Sequence, residues 1–108
     1  MIVLKKIDAQ LVEKIIQPGQ TEEFFDLSLE ASDAFDWNVK ILYNDLKGIT
    51  KITSLYNDGE MENSAYAVLG RRFRASTSIF VFSGDRCKFQ ITNNELSAMK
   101  CSVKLKTF

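Results

Sequence analysis

Few residues in this sequence are suited to catalysis. The 108 residues include no histidine, which excludes Ser-His and Cys-His nucleophilic pairs and removes the commonest protein metal ligand. Paired carboxylates occur at Glu22-Glu23, Asp33/Asp36 and Asp58/Glu60. General acid–base catalysis uses such pairs, but these lie in predicted turns or at strand ends, where acids normally only solvate the chain. We therefore expect a protein that is not an enzyme.

Metal and cofactor sites have little support in the sequence. The segment from Asn57 to Glu62 carries oxygen ligands suitable for calcium but lacks the regular alternating spacing of a calcium loop. Without histidine, zinc is not expected. The five scattered glycines match neither the dinucleotide fingerprint nor the phosphate loop. The sequence therefore predicts no metal and no cofactor.

The two cysteines, Cys87 and Cys101, lie in alternating segments on either side of Asn94. A hairpin centred on Asn94 would place them opposite each other with both side chains inward. The start of the chain lacks the order of a secretory signal, which favours two reduced thiols in the core over a disulfide. No CxxC motif supports a redox role.

One cluster of side chains is suited to binding a partner. It comprises Arg71, Arg72, Phe73 and Arg74, together with Arg86 and Lys88 if these lie on an adjoining strand. Arginine and aromatic side chains bind phosphate and stack on bases, so a polyanion is one candidate. A second interpretation is that the cations protect an exposed strand edge, and a third is docking onto acidic protein neighbours. Because the formal net charge is zero, we favour edge protection, and nucleic acid is not the expected partner.

Charge is unevenly distributed along the chain. Residues 1–36 contain three lysines and eight acids, for a net charge of −5, and residues 37–108 contain eleven basic residues and six acids, for +5. Opposite halves of this kind attract neighbouring copies head to tail, since complementary potentials orient association. The simpler interpretation, which we favour, is that both sets of charges lie on solvated faces.

The clearest structural pattern is in the last third of the chain. Apolar side chains occupy alternate positions in 87–91 and again in 99–105, with lysines and other polar residues between them. Successive side chains on a strand point to opposite sides of a sheet, so this pattern predicts two strands, each with one dry and one cationic face. We expect them to form an antiparallel hairpin around the polar turn Asn93-Asn94-Glu95.

Turn residues divide the rest of the chain into short extended segments. Residues 8–17 fit a capped helix or a strand, and the following Pro18-Gly19 turn favours the strand. We predict a loop at Asn44–Gly48, a hairpin turn at Asn57-Asp58-Gly59 and a bend or bulge at Gly70. With turns about every eight to twelve residues, seven or eight strands are expected. The fold class is therefore all-β, a single antiparallel β-sandwich of jelly-roll or Ig-like form over residues 1–108, in which residues 1–17 form an N-terminal arm or an edge strand.

From Trp37 onward the order of these features resembles a small β-sandwich domain of tailed-bacteriophage virion proteins. Such domains occur in tail-fibre, baseplate, neck and head-decoration components. The resemblance is carried by a set of segments that follow one another in the family's order: Trp37–Ile41, Asn57–Gly59, Tyr66 with Leu69-Gly70, Phe80–Asp85, Phe89–Asn94 and Cys101–Lys106.

The resemblance implies a structural protein, assembled in the host cytoplasm and located in the virion, that packs against copies of itself and other virion proteins. It implies no catalytic or cofactor-binding residue. Two alternatives remain open: a phage-encoded inhibitor that binds a host protein, and a nucleic-acid-binding β domain that depends on Arg71, Arg72 and Arg74. No membrane association is expected, since the apolar runs are far shorter than the roughly 20 residues of a membrane helix.

Overall fold

A computed structural model describes residues 9–108, which form eight β-strands. In chain order the strands are β1 (Ala9–Ile16), β2 (Thr21–Ser28), β3 (Ala34–Tyr43), β4 (Leu46–Asn57), β5 (Glu60–Gly70), β6 (Ala75–Phe82), β7 (Arg86–Asn93) and β8 (Met99–Thr107). The predicted all-β sandwich is confirmed. The strand predicted within residues 8–17 runs from Ala9 to Ile16. The first eight residues of the predicted N-terminal arm or edge strand, 1–17, lie outside the described residues.

The strands form two antiparallel sheets. Five strands make one sheet in the order β1-β8-β3-β4-β5, and three make the other in the order β2-β7-β6. No helix that could span a membrane occurs between residues 9 and 108.

Aromatic rings fill the space between the sheets. Trp37 on β3 is fully buried, and its ring lies 4.6 Å from that of Phe89 on β7 and 5.6 Å from that of Phe25 on β2. The alternating side chains of β7 and β8 are buried at every second position, as the period-two pattern predicts. On β2 a bulge between Glu23 and Phe25 interrupts the alternation, so that Phe24 and Phe25 are both buried.

Two-residue turns join β3 to β4 and β4 to β5. Asp58 and Gly59 both have positive φ, 51° and 84°, and the flanking Asn57 and Glu60 pair directly, which is the hairpin geometry predicted from Asp-Gly. The prediction of a five-residue loop at Asn44–Gly48 is wrong, because the connection is shorter. Only Asn44 and Asp45 form the turn, with φ of 47° and 64°, and β4 begins at Leu46. Asparagine and aspartate tolerate this left-handed region well enough to make the same tight turn without glycine.

The hairpin predicted around Asn94 is also wrong. β7 pairs with β2 and β6, whereas β8 pairs with β1 and β3, so the segment between them crosses from one sheet to the other. Cys87 and Cys101 are therefore not cross-strand neighbours; they enter the core from opposite sheets, and both are free and fully buried. An alternating strand buries its apolar face equally well beside its neighbour in sequence or across the sandwich from it, so the pattern does not distinguish the two arrangements.

Candidate interaction surfaces

The linker Arg71–Arg74 carries the chain from β5 in the large sheet to β6 in the small one. It is held by backbone hydrogen bonds, from the Arg71 N–H to the Lys47 carbonyl at 2.9 Å and from the Asn94 N–H to the Arg74 carbonyl at 2.8 Å. Gly70 has a φ of 79°, which makes the bend that was predicted there. Gly48 is buried beneath the linker, where an added Cβ would meet the carbonyl oxygen of Arg71. The linker is therefore anchored at both ends while its arginine side chains are exposed.

The linker borders a cleft between the two sheets, which we call the inter-sheet cleft. Its volume is about 310 Å³, and Arg71 and Arg72 are among its lining residues. Phe73 also lines it, and its ring packs edge-on against Tyr43 with a centroid distance of 5.7 Å. The aromatic ring of the predicted basic cluster is thus half-buried against the protein.

The other two residues of the predicted cluster lie elsewhere. β6 begins directly after Arg74, and its last residue pairs with Arg86, so the length of β6, roughly 25 Å, separates the two groups. Arg86 donates a 2.6 Å hydrogen bond to the Asp26 carboxylate, and this contact raises the pKa of Arg86. Lys88 forms an ion pair of 3.2 Å with Glu23. The structure brings Arg71, Arg72 and Arg74 together but not Arg86 and Lys88.

A second basic surface lies on the outer face of the five-stranded sheet. Trp37 and Val39 point into the core, so Asn38 and Lys40 point outward, and directly paired residues share their side of the sheet. Six lysines are on this side: Lys40, Lys47, Lys51, Lys100, Lys104 and Lys106. They come from three adjacent strands. The sequence indicates the lysines of β8 by their alternation, but only the strand order places those of β3 and β4 beside them.

Three of these lysines surround a shallow depression of about 420 Å³, which we call the lysine depression. Lys104 and Lys51 are the cross-strand partners of Asn38 on either side, and Lys40 is two residues farther along β3. Leu11 and Ile49 add aliphatic lining. The Oδ1 of Asn38 is buried and has no hydrogen-bond partner within residues 9–108. None of the three lysines forms an ion pair with a residue that the structure describes.

Two acids on the same side of the sheet are already engaged. Glu13 pairs with Lys100 at 3.5 Å and accepts a hydrogen bond from the Ser102 hydroxyl. Asp36 accepts hydrogen bonds from Thr53 and Tyr66, and desolvation together with this contact raises the pKa of Tyr66. Glu13 also lines the lysine depression, and with one acid against three lysines the depression keeps an excess of positive charge.

The end of the β4–β5 hairpin has the opposite charge. No basic residue occurs in residues 52–70, whereas Asp58, Glu60 and Glu62 are all exposed. Glu62 pairs directly with Leu55 across the hairpin, so the acid and the 42% exposed aliphatic side chain share the outer side of the sheet. We call Leu55, Asp58, Glu60 and Glu62 the acidic hairpin end. These acids belong to the segment in which a calcium site was considered; in the described part of the chain, no three acidic or cysteine side chains are grouped as a metal site.

Comparison with known proteins adds no family to this description. No protein-family model matches the chain, and no curated protein matches it significantly.

Proposed function

We propose that this chain is a non-enzymatic structural protein of a tailed-phage virion that acts by packing against copies of itself and against other virion proteins. The assembly is inferred from the sequence resemblance. The packing role is inferred from surfaces on the sandwich.

The main support is the exposed surface of β5, which is an edge strand of the five-stranded sheet within the described residues. On this strand Tyr66, Val68 and Leu69 are 54%, 43% and 65% exposed, and β5 contains no lysine or proline. An edge strand presents unpaired backbone groups, and exposed strands of soluble monomers usually carry such residues to prevent pairing. Glu60 and Glu62 lie at the hairpin end of β5, and a bulge interrupts its pairing with β4 at Lys51/Ile52. The segment from Tyr66 to Leu69 beyond them carries no charge, and exposed aliphatic and aromatic residues of this kind are typical of a surface that is covered in an assembly.

Sedimentation velocity over a range of protein concentrations tests the packing role. We expect the protein to self-associate and Leu69→Lys to weaken the association by about tenfold or more, since a charge would be placed at the edge. Leu96→Lys is the matched control: Leu96 is 95% exposed in the segment between β7 and β8, so its replacement should leave association unchanged. A wild-type protein that stays monomeric at every concentration, alone and with purified virion proteins, would contradict the proposal.

Recovery of the protein from purified phage particles tests its location in the virion. A structural protein should be found in density-purified virions in a fixed ratio to the major capsid protein. Its presence only in the soluble lysate would contradict a place in the virion.

Nucleic-acid binding remains the second candidate, because the exposed Arg71, Arg72 and Arg74 have no acidic ion-pair partner in the described part of the chain. The packing of Phe73 on Tyr43 leaves little of that ring for stacking on a base. If this candidate is correct, Arg71→Glu/Arg72→Glu abolishes salt-sensitive retention of single-stranded DNA. Absence of retention by the wild-type protein would eliminate it.

A further inference from the structure

We propose that the acidic hairpin end of one copy binds the lysine depression of a second copy. This inference rests on the self-association that we propose as the function, and it names the two surfaces that meet. It uses other residues than the exposed Tyr66, Val68 and Leu69 of β5, although Glu60 and Glu62 begin the same strand and Leu69 pairs with Ile49 at the lysine depression.

The first argument is charge complementarity between two patches, one with three lysines and one acid and the other with acids alone. Lys40, Lys51 and Lys104 form no ion pair with described residues, and neither do Glu60 and Glu62. Most other acids of the strands are already paired, for example Glu23 with Lys88 and Asp26 with Arg86. Unpaired charges of opposite sign on two patches of one molecule favour contacts between copies and fix their orientation.

The second argument is dimensional. Lys51 and Lys104 lie on either side of β3, so their Cα atoms are about 10 Å apart, and Glu60 and Glu62 are about 7 Å apart along β5. The ammonium groups are carried on flexible four-carbon stems, which allows each to reach a carboxylate inserted between them. A two-residue turn at Asp58-Gly59 makes the inserted end narrow.

The third argument concerns the kind of partner. Leu11 is 59% exposed and lines the lysine depression together with Ile49, and the described residues that line it include no aromatic ring. A nucleic-acid backbone would leave these aliphatic side chains in water and would find no stacking platform. The acidic hairpin end instead presents Leu55 beside Glu62, which matches both the charge and the aliphatic lining.

Both patches lie on the outer side of the five-stranded sheet. Two copies related by a two-fold axis can therefore make the contact twice, which gives a closed dimer. In a head-to-tail arrangement the same contact generates a closed ring where the rotation permits and an open filament where it does not.

Charge reversal in both patches tests the inference by sedimentation velocity. We expect K51E/K104E and E60K/E62K each to weaken self-association by at least about tenfold at physiological salt, because each places like charges in contact. An equimolar mixture of the two variants should associate again, and the variant with all four substitutions should recover self-association. R71E/R72E, which changes charge by the same amount outside both patches, should behave as the wild type does. Circular dichroism checks that every variant is folded; all four substituted side chains are at least partly exposed.

The outcomes separate this inference from the proposed function. If the wild type associates and either reversal has no effect, or if the mixture is not restored, the inference is wrong while self-association stands. If the wild type is monomeric throughout, the self-association on which both depend is absent. If K51E/K104E abolishes binding of a labelled single-stranded oligonucleotide and E60K/E62K leaves self-association unchanged, the depression binds nucleic acid and the inference is overturned.

Discussion

The indole N–H of Trp37 donates a 2.9 Å hydrogen bond to the hydroxyl of Ser54 in the centre of the core. Ser54 in turn donates to the Oδ1 of Asn63 at 2.6 Å, and the Nδ2 of Asn63 donates to the Ile79 carbonyl at 3.0 Å. The chain of bonds runs from β3 through β4 and β5 to β6, so it links the two sheets. Buried polar groups in such a chain are satisfied only when every member is present.

Ser54→Ala should lower the free energy of unfolding by about 1–3 kcal/mol, because it leaves the Trp37 N–H buried without an acceptor. Urea unfolding followed by Trp37 fluorescence measures this, since the chain has one tryptophan. Ser64→Ala, an exposed position on β5, is the control, and we expect a change within about 0.5 kcal/mol. Equal effects of the two substitutions would contradict the role assigned to Ser54.

Asn93→Asp should destabilise the protein much more than Asn94→Asp. The fully buried amide of Asn93 donates to the carbonyls of Ile16 and Ser97 at 2.8 and 2.9 Å, which holds the crossing between β7 and β8. A carboxylate would keep the Glu95 N–H as a donor to one oxygen. Its other oxygen would replace the amide nitrogen and face the two carbonyl acceptors, at a cost of several kcal/mol. Asn94 is exposed, and its replacement should cost under about 1 kcal/mol. Thermal unfolding of the two variants compares them.

Stability should fall as the pH rises from 9 towards 11. Burial raises the pKa of Cys87 and of Cys101 from 9.0 to about 11. The unfolded chain therefore loses these protons first, so their contribution to stability is complete below pH 9 and is lost as the pH rises through the folded values. The double variant Cys87→Ala/Cys101→Ala should show a flatter profile in urea titrations across this range. The same slope in both proteins would show that other groups cause the loss.

The native thiols should also react slowly with an alkylating reagent at pH 8. The thiolate is the reactive form, and burial both disfavours it and blocks access. Mass spectrometry should find both cysteines unmodified in the folded protein and both modified in urea. Rapid labelling of either in the native state would contradict its burial.

Gly48→Ala should destabilise the protein by about 1–3 kcal/mol, because the added methyl group meets the backbone carbonyl of Arg71 and forces the linker outward. Gly19→Ala is the comparison: the added group there meets open space, and only the positive φ of 77° opposes it. Its cost should be about 1 kcal/mol. Chemical denaturation distinguishes the two, and a larger loss at Gly19 would contradict the close approach at Gly48.

The sequence alone determined the fold class and most of the strands. Alternation of side chains depends only on the pleat of the backbone, so Cys87, Phe89 and Ile91 could be assigned to a buried face without knowledge of any neighbour. The Asp58-Gly59 turn was equally local, since its positive φ values follow from the residues themselves. The bulge that buries both Phe24 and Phe25 was not predictable, because it depends on the partner strand.

The tertiary structure decided which strands are neighbours, and therefore which charges share a surface. Alternation does not specify whether a strand pairs with the next strand or crosses the sandwich, so the predicted terminal hairpin was wrong and Cys87 was placed beside the wrong strand. For the same reason the sequence did not show that Arg86 and Lys88 lie apart from Arg71, Arg72 and Arg74. The pairing of β8 with β3 placed Lys104, which is distant in sequence, on the same side of the sheet as Lys40 and Lys51. Strand order is set by the packing of whole faces, and that energy is not a property of any single segment.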